Sequence, residues 1–322
     1  MEAVAGVKST GEAARPHPLS PLVSSWRRHL SAVGKAHKTI VIYTSTADAF
    51  GRYLAEQGMP TKPTGVRREH VEAYIQSLRD RGLSASTVKQ HARSIKLFFV
   101  WLIEEGEVKA DRDPTRNVKV PVPEVKPPEV LTVEELGRLM KACQRGRSPM
   151  ENRRDEAIIR LFADTGMRLS ELVGLMVDQV DLDSGVLRVT GKGSGRGPRQ
   201  RLVWFGPKTA AALDKYLRLR AQHRLRELPE LWLGRHVTQP LTVSGVAQLV
   251  RERGRLAGIE RLHPHLFRHT YAHLSLAAGM QEGDLQELGG WRDRSMLSRY
   301  GASAATERAL AAQKKLGLGN KW

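Results

Sequence analysis

Through the first third of the chain, apolar residues recur every three or four positions, the spacing of helices buried along one face. They predict four helices. Leu22 to Val33 has Trp26 and Leu30 one turn apart, and Thr39 to Gln57 turns Ala47, Phe50 and Leu54 inward. Arg67 to Arg81 sets Val71, Tyr74, Ile75 and Leu78 on one side, and Ser84 to Glu105 carries Val88, Ile95, Phe98, Phe99 and Leu102. No strand-like alternation interrupts them, so residues 19–110 are expected to form an all-α domain. Residues 1–18 are small, polar and proline-containing, the composition of a disordered tail.

Residues 111–130, DRDPTRNVKVPVPEVKPPEV, hold five prolines. Proline lacks the amide hydrogen a helix needs, so this stretch is expected to be an extended linker, with the second domain spanning 131–322. That domain opens on Thr132, a helix N-cap followed by two glutamates. A helix over Asp155 to Thr165 leads into TGMRLSELVGL, where Gly166 supplies a turn, Ser170 caps the next helix and Glu171 sits at its N-terminus. The period then changes to alternation, predicting strands at Val180 to Leu182, Val186 to Thr190 and Gln200 to Trp204. Helical spacing resumes over Pro207 to His223 and, capped by Thr242 or Ser244, over about Ser244 to Ala257. The fold class is therefore mainly α: an all-α N-terminal domain and a mixed α+β C-terminal domain with a small three-stranded antiparallel sheet.

The densest chemistry lies in LHPHLFRHTYAHLSLAAGMQEGDLQELGGWRDRSMLSRY, Leu262 to Tyr300. Pro264 suits the first position of a helix in which Leu266, Phe267, Leu274, Ala277 and Met280 form the apolar set, and Gly279 suits its end. His265 and Arg268, three apart, share one face of it. A short helix over Gly283 to Leu288 precedes Trp291, and Tyr300 follows nine positions later among Arg292, Arg294 and Arg299. His265, His269 and His273 also have metal-run spacing. Leu266 and Thr270 stand where a zincin helix carries glutamate, and Arg268 would crowd a metal with charge, so His269 and His273 are assigned to the core or helix face and no metal is expected. After Tyr300, Ala304 to Leu316 is helical in pattern and fits packing on its own domain or on a neighbouring subunit.

Charge narrows the partner. Lys and Arg number 52 against 34 acids, a formal net charge of +18. That surplus favours a polyanion, nucleic acid ahead of a membrane surface. No apolar run is long enough to span a bilayer, and the N-terminus lacks the apolar core of a signal peptide. The single Cys143 fits a reducing cytosol and a packing role. On the fourth helix Lys89, Arg93 and Lys96 form a basic stripe with Gln90 and Ser94 beside it. It reads either as a solvated face or as a DNA-contacting face whose cations neutralise phosphates. Arg168 alone fits a structural pairing with Glu171. Lys192, in the glycine-rich GKGSGRGPR between the second and third strands, alone fits a plain turn.

Together, Arg168, Lys192, His265-x-x-Arg268, Trp291 and Tyr300 resemble the tyrosine recombinase, or phage integrase, family, and the resemblance runs from about Pro21 to Leu316. GLSASTVKQHARSIKLFFVWL and the DPT at Asp113 are similar to its SAM-like core-binding domain; TGMRLSEL and PHLFRHTYAH are similar to its two arginine boxes. The family's roles then imply that Tyr300 attacks the scissile phosphate to form a 3′-phosphotyrosine. Arg168 and Arg268 would hold its non-bridging oxygens, Lys192 would protonate the departing 5′ oxygen, and His265 would act as acid/base or hydrogen-bond partner. Trp291 replaces a common His and can donate but not transfer a proton, and Glu171 orients its neighbours. The resemblance implies no cofactor, a double-stranded DNA recombination site as partner, a homotetramer on two duplexes, and a cytoplasmic, nucleoid-associated setting. The short segment before Pro21 points to a two-domain recombinase of the Xer or mobile-element type. A type IB topoisomerase shares the chemistry, and a non-catalytic DNA-binding protein is the third reading.

Overall fold

The computed structural model describes residues 17–121, 128–146, 148–191, 200–234 and 239–291, with Leu297, Leu310, Gln313, Lys314, Leu316 and Gly317. They form two compact units that divide between positions 124 and 125.

The N-terminal unit is built from α1 (Ser20–Ala32), α2 (His37–Glu56), α3 (Arg68–Asp80) and α4 (Ala85–Glu104). Each lies within two residues of its expected bounds, because the apolar spacing that predicts it is also what buries it. Ser84 caps α4 by accepting from the Thr87 amide at 3.2 Å. Trp26, Phe50, Phe98 and Phe99 are enclosed at the centre. Trp26 meets Phe98 at 5.1 Å and Phe50 meets Tyr74 at 5.3 Å between ring centroids, the second pair edge-on.

The sequence boundaries move at both ends of this unit. The expected tail lies outside the described residues up to position 16, but His17 and Pro18 belong to the fold. The His17 ring is buried against α2, 3.3 Å from the Asp48 carboxylate. Gly51 makes the room, since a Cβ there would stand 2.2 Å from the imidazole. The expected linker also begins later than residue 111. Asp113 accepts from the amide and hydroxyl of Thr115 at 2.8 and 2.7 Å, and Val118 and Val120 pack on the helical core. Their apolar side chains, not the prolines, decide where the unit ends.

In the second unit α5 (Val133–Cys143) opens on a reciprocal cap, Thr132 with Glu135. Cys143 is buried at its end, and burial followed by the nearby Asp155 charge pushes its thiol up to about 12. Helix α6 (Pro149–Thr165) starts earlier than Asp155, with Ser148 as its cap and Pro149 in the first turn. Asp155 is therefore not the first residue of the helix. It lies mid-helix and buried, accepting from both Arg154 and Arg253. A buried carboxylate needs such partners to stay charged.

Helix α7 (Leu169–Val173) is followed by β1 (Val180–Asp181), β2 (Val186–Thr190) and β3 (Gln200–Trp204), an antiparallel sheet in the order β1-β2-β3. Helices α8 (Pro207–Arg220), α9 (Val243–Leu256, capped by Thr242), α10 (Pro264–Ala277) and α11 (Glu282–Gly289) complete it. Phe162 of α6 stacks on Phe267 of α10 at 5.6 Å, fixing the helix that carries His265 and Arg268 against the core. On α10 the expected inward residue Leu274 is exposed, and Ala272 and Leu276 are buried instead. Leu310, Gln313, Lys314 and Leu316 are helical, and Leu310 and Leu316 are exposed; the rest of the expected Ala304 to Leu316 helix lies outside the described residues. No helix among the described residues is long and apolar enough to cross a membrane.

Candidate active site

Two segments a hundred residues apart meet at one turn. Helix α6 ends on Gly166 with φ of 55°, a left-handed conformation, and the Tyr271 ring stands 2.4 Å from where a Cβ would be. Both the backbone and the close ring require glycine there. The reversal delivers Arg168 to the N-cap of α7, a place assigned above to Ser170. Glu171 closes that turn by accepting from the Arg168 amide at 2.9 Å. A carboxylate three positions into the helix satisfies a donor that a serine inside the helix cannot reach.

The Arg168 guanidinium donates to Glu171 at 2.8 Å and to the Gly290 carbonyl at 2.7 Å, and its side chain keeps 39% of its surface exposed. The structural pairing and an accessible guanidinium thus coexist. Arg268 rises from α10 into the same turn. It donates to the Gly166 carbonyl at 2.9 Å, and its guanidinium carbon lies 3.6 Å above the centre of the Trp291 ring. That stacking is a cation–π contact, stronger where water is excluded, and Arg268 is only 2% exposed. Trp291 is itself buried, in a small cluster with Ala272, Leu276, Leu285 and Leu297. Gly289 lets the indole lie flat beside α11, since a Cβ there would fall 1.7 Å from the ring.

His265 is solvent-accessible on the first turn of α10 and meets His269 edge-on at 4.5 Å. Desolvation on its flanked side, then the Arg268 charge, with His263 and Arg168 adding to it, hold its pKa below the ordinary 6.5. At neutral pH it is the neutral imidazole, able to accept a proton. His269 is lowered further, to about 4, by burial and then by His265. Its folded pKa lies below the unfolded value, so the unfolded chain binds more protons as pH falls from 6.5 towards 4, and stability falls with it. Thermal melts should show this loss across that window, and His269→Gln should lessen it. Parallel curves for the two proteins would contradict the assignment.

One central residue was missed by the sequence reading. Arg201 of β3 is buried and grips Glu171 with both terminal nitrogens, at 3.1 and 2.8 Å, while its Nε donates to the Leu288 carbonyl at 2.7 Å. Burial would raise the Glu171 carboxyl, but the Arg201 hydrogen bonds and charge, then the bonds from Arg168, outweigh it and hold the pKa below 4.5. The available signal was register. Arg201 pairs with Val189 and Val203 with Leu187, and both partners on β2 are inward.

Among the expected residues, the structure brings together Arg168, Glu171, His265, Arg268 and Trp291. Lys192 and Tyr300 lie outside the described residues, as do Arg292, Arg294 and Arg299. Lys89, Gln90, Arg93 and Lys96 are exposed on α4 in the other unit. Ser94, expected beside them, is buried and donates to the Gln90 carbonyl at 3.0 Å, so it faces the helix rather than a groove. Among the described residues no group of three or more His, Cys, Asp or Glu is placed to hold a metal ion.

Known proteins share both units. Residues 129–307 match the phage integrase family and residues 22–106 match the phage integrase N-terminal SAM-like domain. The tyrosine recombinase XerC of Lactobacillus delbrueckii subsp. bulgaricus is 31% identical over 267 residues, covering 82% of this chain and 87% of the relative. The tyrosine recombinase XerD of Bifidobacterium longum is 32% identical over 265 residues, covering 79% and 83%. In fold, the chain is similar to a XerH site-specific recombinase bound to a palindromic difH substrate, with a TM-score of 0.71 at 18% identity over 90% of this chain and 83% of that one. It is also similar to the Tn1549 transposon integrase in complex with transposon right end DNA, at 0.68 and 20% over 92% and 98%. These matches, spanning both units, place the chain in the phage integrase family of tyrosine recombinases, enzymes of site-specific recombination that cleave and rejoin DNA.

Proposed function

We propose that Arg168, Arg268 and His265 form the cationic side of a phosphoryl-transfer site, and that Tyr300 supplies its nucleophile. The observation that carries this is the meeting of two guanidiniums at one turn: Arg268 on the Gly166 carbonyl, and Arg168 two residues on, reaching Gly290 beside the indole on which Arg268 stacks. Two guanidiniums, Arg168 and Arg201, share one carboxylate, Glu171, and Arg268 at the same turn adds a third positive charge, so a positive surplus remains. Such a fixed surplus stabilises the extra negative charge of a five-coordinate phosphorus.

In this reading the Tyr300 phenol oxygen attacks the phosphorus and gives its proton to neutral His265. The bond to the 5′ oxygen breaks, Lys192 protonates that oxygen, and a 3′-phosphotyrosine remains. Attack by a 5′ hydroxyl reverses each step and reseals a strand. One phosphate ester replaces another, so no nucleotide is consumed and no cofactor is required. Arg168 and Arg268 hold the non-bridging oxygens, Glu171 orients Arg168, and Trp291 supports Arg268 with its indole N–H as a further donor. The partner is a double-stranded DNA recombination site, contacted in the N-terminal unit by Lys89, Gln90, Arg93 and Lys96. Four copies on two duplexes, in the cytoplasm on the nucleoid, complete the reading.

The test is to offer fragmented genomic DNA carrying nicks, recover protein-linked fragments under denaturing conditions and sequence them. Convergence on one site is expected. Adducts scattered without a shared sequence would favour topoisomerase-like relaxation, and no adducts would favour a non-catalytic binder.

A further inference from the structure

Arg201 takes no part in the reaction steps above, yet it touches both sides of the site. It is buried on β3, and all three of its guanidinium nitrogens are engaged: two on Glu171, one on the Leu288 carbonyl. We propose that Arg201 is a positioning residue for strand cleavage, fixing Arg168 through Glu171 and the Gly290–Trp291 step through Leu288. This rests on the reading of Arg168 and Arg268 as phosphate holders.

Two lines of contact run from this one side chain. Glu171 accepts from Arg201 and, with the same carboxylate, from the Arg168 side chain and amide. The second line runs through α11. The last carbonyls of a helix have no partner within it and carry the negative end of its dipole. Here Arg201 takes Leu288 and Arg168 takes Gly290. The chain leaves that end straight into Trp291, on which Arg268 stacks. Gly290 marks how closely the two arginines converge: with φ of 64°, a Cβ there would lie 3.1 Å from Arg201 Nη1 and 3.4 Å from Arg168 Nη1. A planar fork can serve a carboxylate and a carbonyl together, and an ammonium of the same charge cannot.

A merely structural arginine would also stabilise a buried carboxylate, so the test must read something stability does not move. The charged groups acting on Glu171 are Arg201 on β3 and Arg168 on its own turn; on α10, Arg268 and Tyr271 face the same arginine cluster rather than the carboxylate, the Tyr271 phenol sensing both Arg201 and Arg268. Helix α11 offers carbonyls there, and its acids Glu282, Asp284 and Glu287 are exposed. Without Arg201 the burial of Glu171 is less offset, its carboxyl rises, and in mild acid it protonates and releases Arg168.

The full-length protein, its R201Q, R201K and R201Q/E171Q variants and an R168A control would be compared for covalent attachment to nicked DNA, at saturating DNA and from pH 5.5 to 8.5. R201Q is expected to cleave about 100-fold more slowly, the scale of an ångström-level misplacement, with DNA affinity nearly unchanged. It should also gain a fall towards acid pH that R201Q/E171Q lacks. R201K, which keeps the charge and not the fork, should still cleave at least about tenfold more slowly, and it decides the matter if R201Q does not fold. R201Q or R201K cleaving at the wild-type rate, or an R201Q profile no steeper in acid than that of R201Q/E171Q, would overturn the proposal. R168A cleaving at the wild-type rate would overturn the phosphate-holder reading itself.

Discussion

Arg268→Ala is expected to lower strand cleavage by about a thousandfold at saturating DNA, the scale for removing a fixed donor or an arginine from a developing phosphoryl charge. DNA binding should change little, since most of its free energy comes from the many phosphate contacts of a basic protein. Arg268→Lys sharpens the test. The ammonium keeps the charge but cannot both stack on Trp291 and donate in plane to Gly166, so most of the loss should remain. Arg268 is also enclosed, and its removal leaves a cavity under the 166–168 turn. Cleavage should therefore be read below the melting temperature of the variant. A rate within tenfold of wild type there would contradict the role.

Gly289→Ala should act nearly as strongly without touching any reacting group. Its Cβ would fall 1.7 Å from the Trp291 ring and 2.1 Å from the next ring carbon, and the ring is buried. Either α11 or the indole must move, and each carries a support of the site, Gly290 for Arg168 and the ring face for Arg268. Overpacking of this kind costs about 3 kcal/mol. For a unit of this size that lowers Tm by roughly 6–12 °C. Trp291→Phe in the same chain should recover much of the lost Tm, because the smaller ring leaves room for the methyl. A Gly289→Ala protein as stable and as active as wild type would mean that the indole does not pack against Gly289.

The parts of this molecule legible in its sequence are those in which one local rule acts alone. The four N-terminal helices and the three strands follow from apolar spacing, and Gly166 and Pro264 mark the turn and the helix start that carry Arg168 and His265. Local rules failed where a distant partner decides. The helix expected to start at Asp155 starts at Pro149 instead, and Arg253 holds Asp155 buried in mid-helix. Ser170 looked like a cap, but Glu171 does that work. On β3 the alternation predicts a strand but not which face is inward, and the apolar Leu202 and Trp204 turn out to face solvent. They are 61% and 62% exposed, because Glu171 draws Arg201 inward and the strand has only two faces. The basic stripe on α4 was legible because an exposed face needs no partner, and Ser94 was misread because its hydroxyl found one in the Gln90 carbonyl.

In the proposed mechanism, positive groups from distant segments gather at one phosphate so that the Tyr300 phenol can cut the strand. Its most direct measurement is the mass of the peptide left on DNA when the protein is trapped on a nicked site and digested. One modified peptide is expected, linked through Tyr300 to a 3′ phosphate, with no adduct from Tyr300→Phe. An adduct on another residue, or one that Tyr300→Phe still forms, would contradict it.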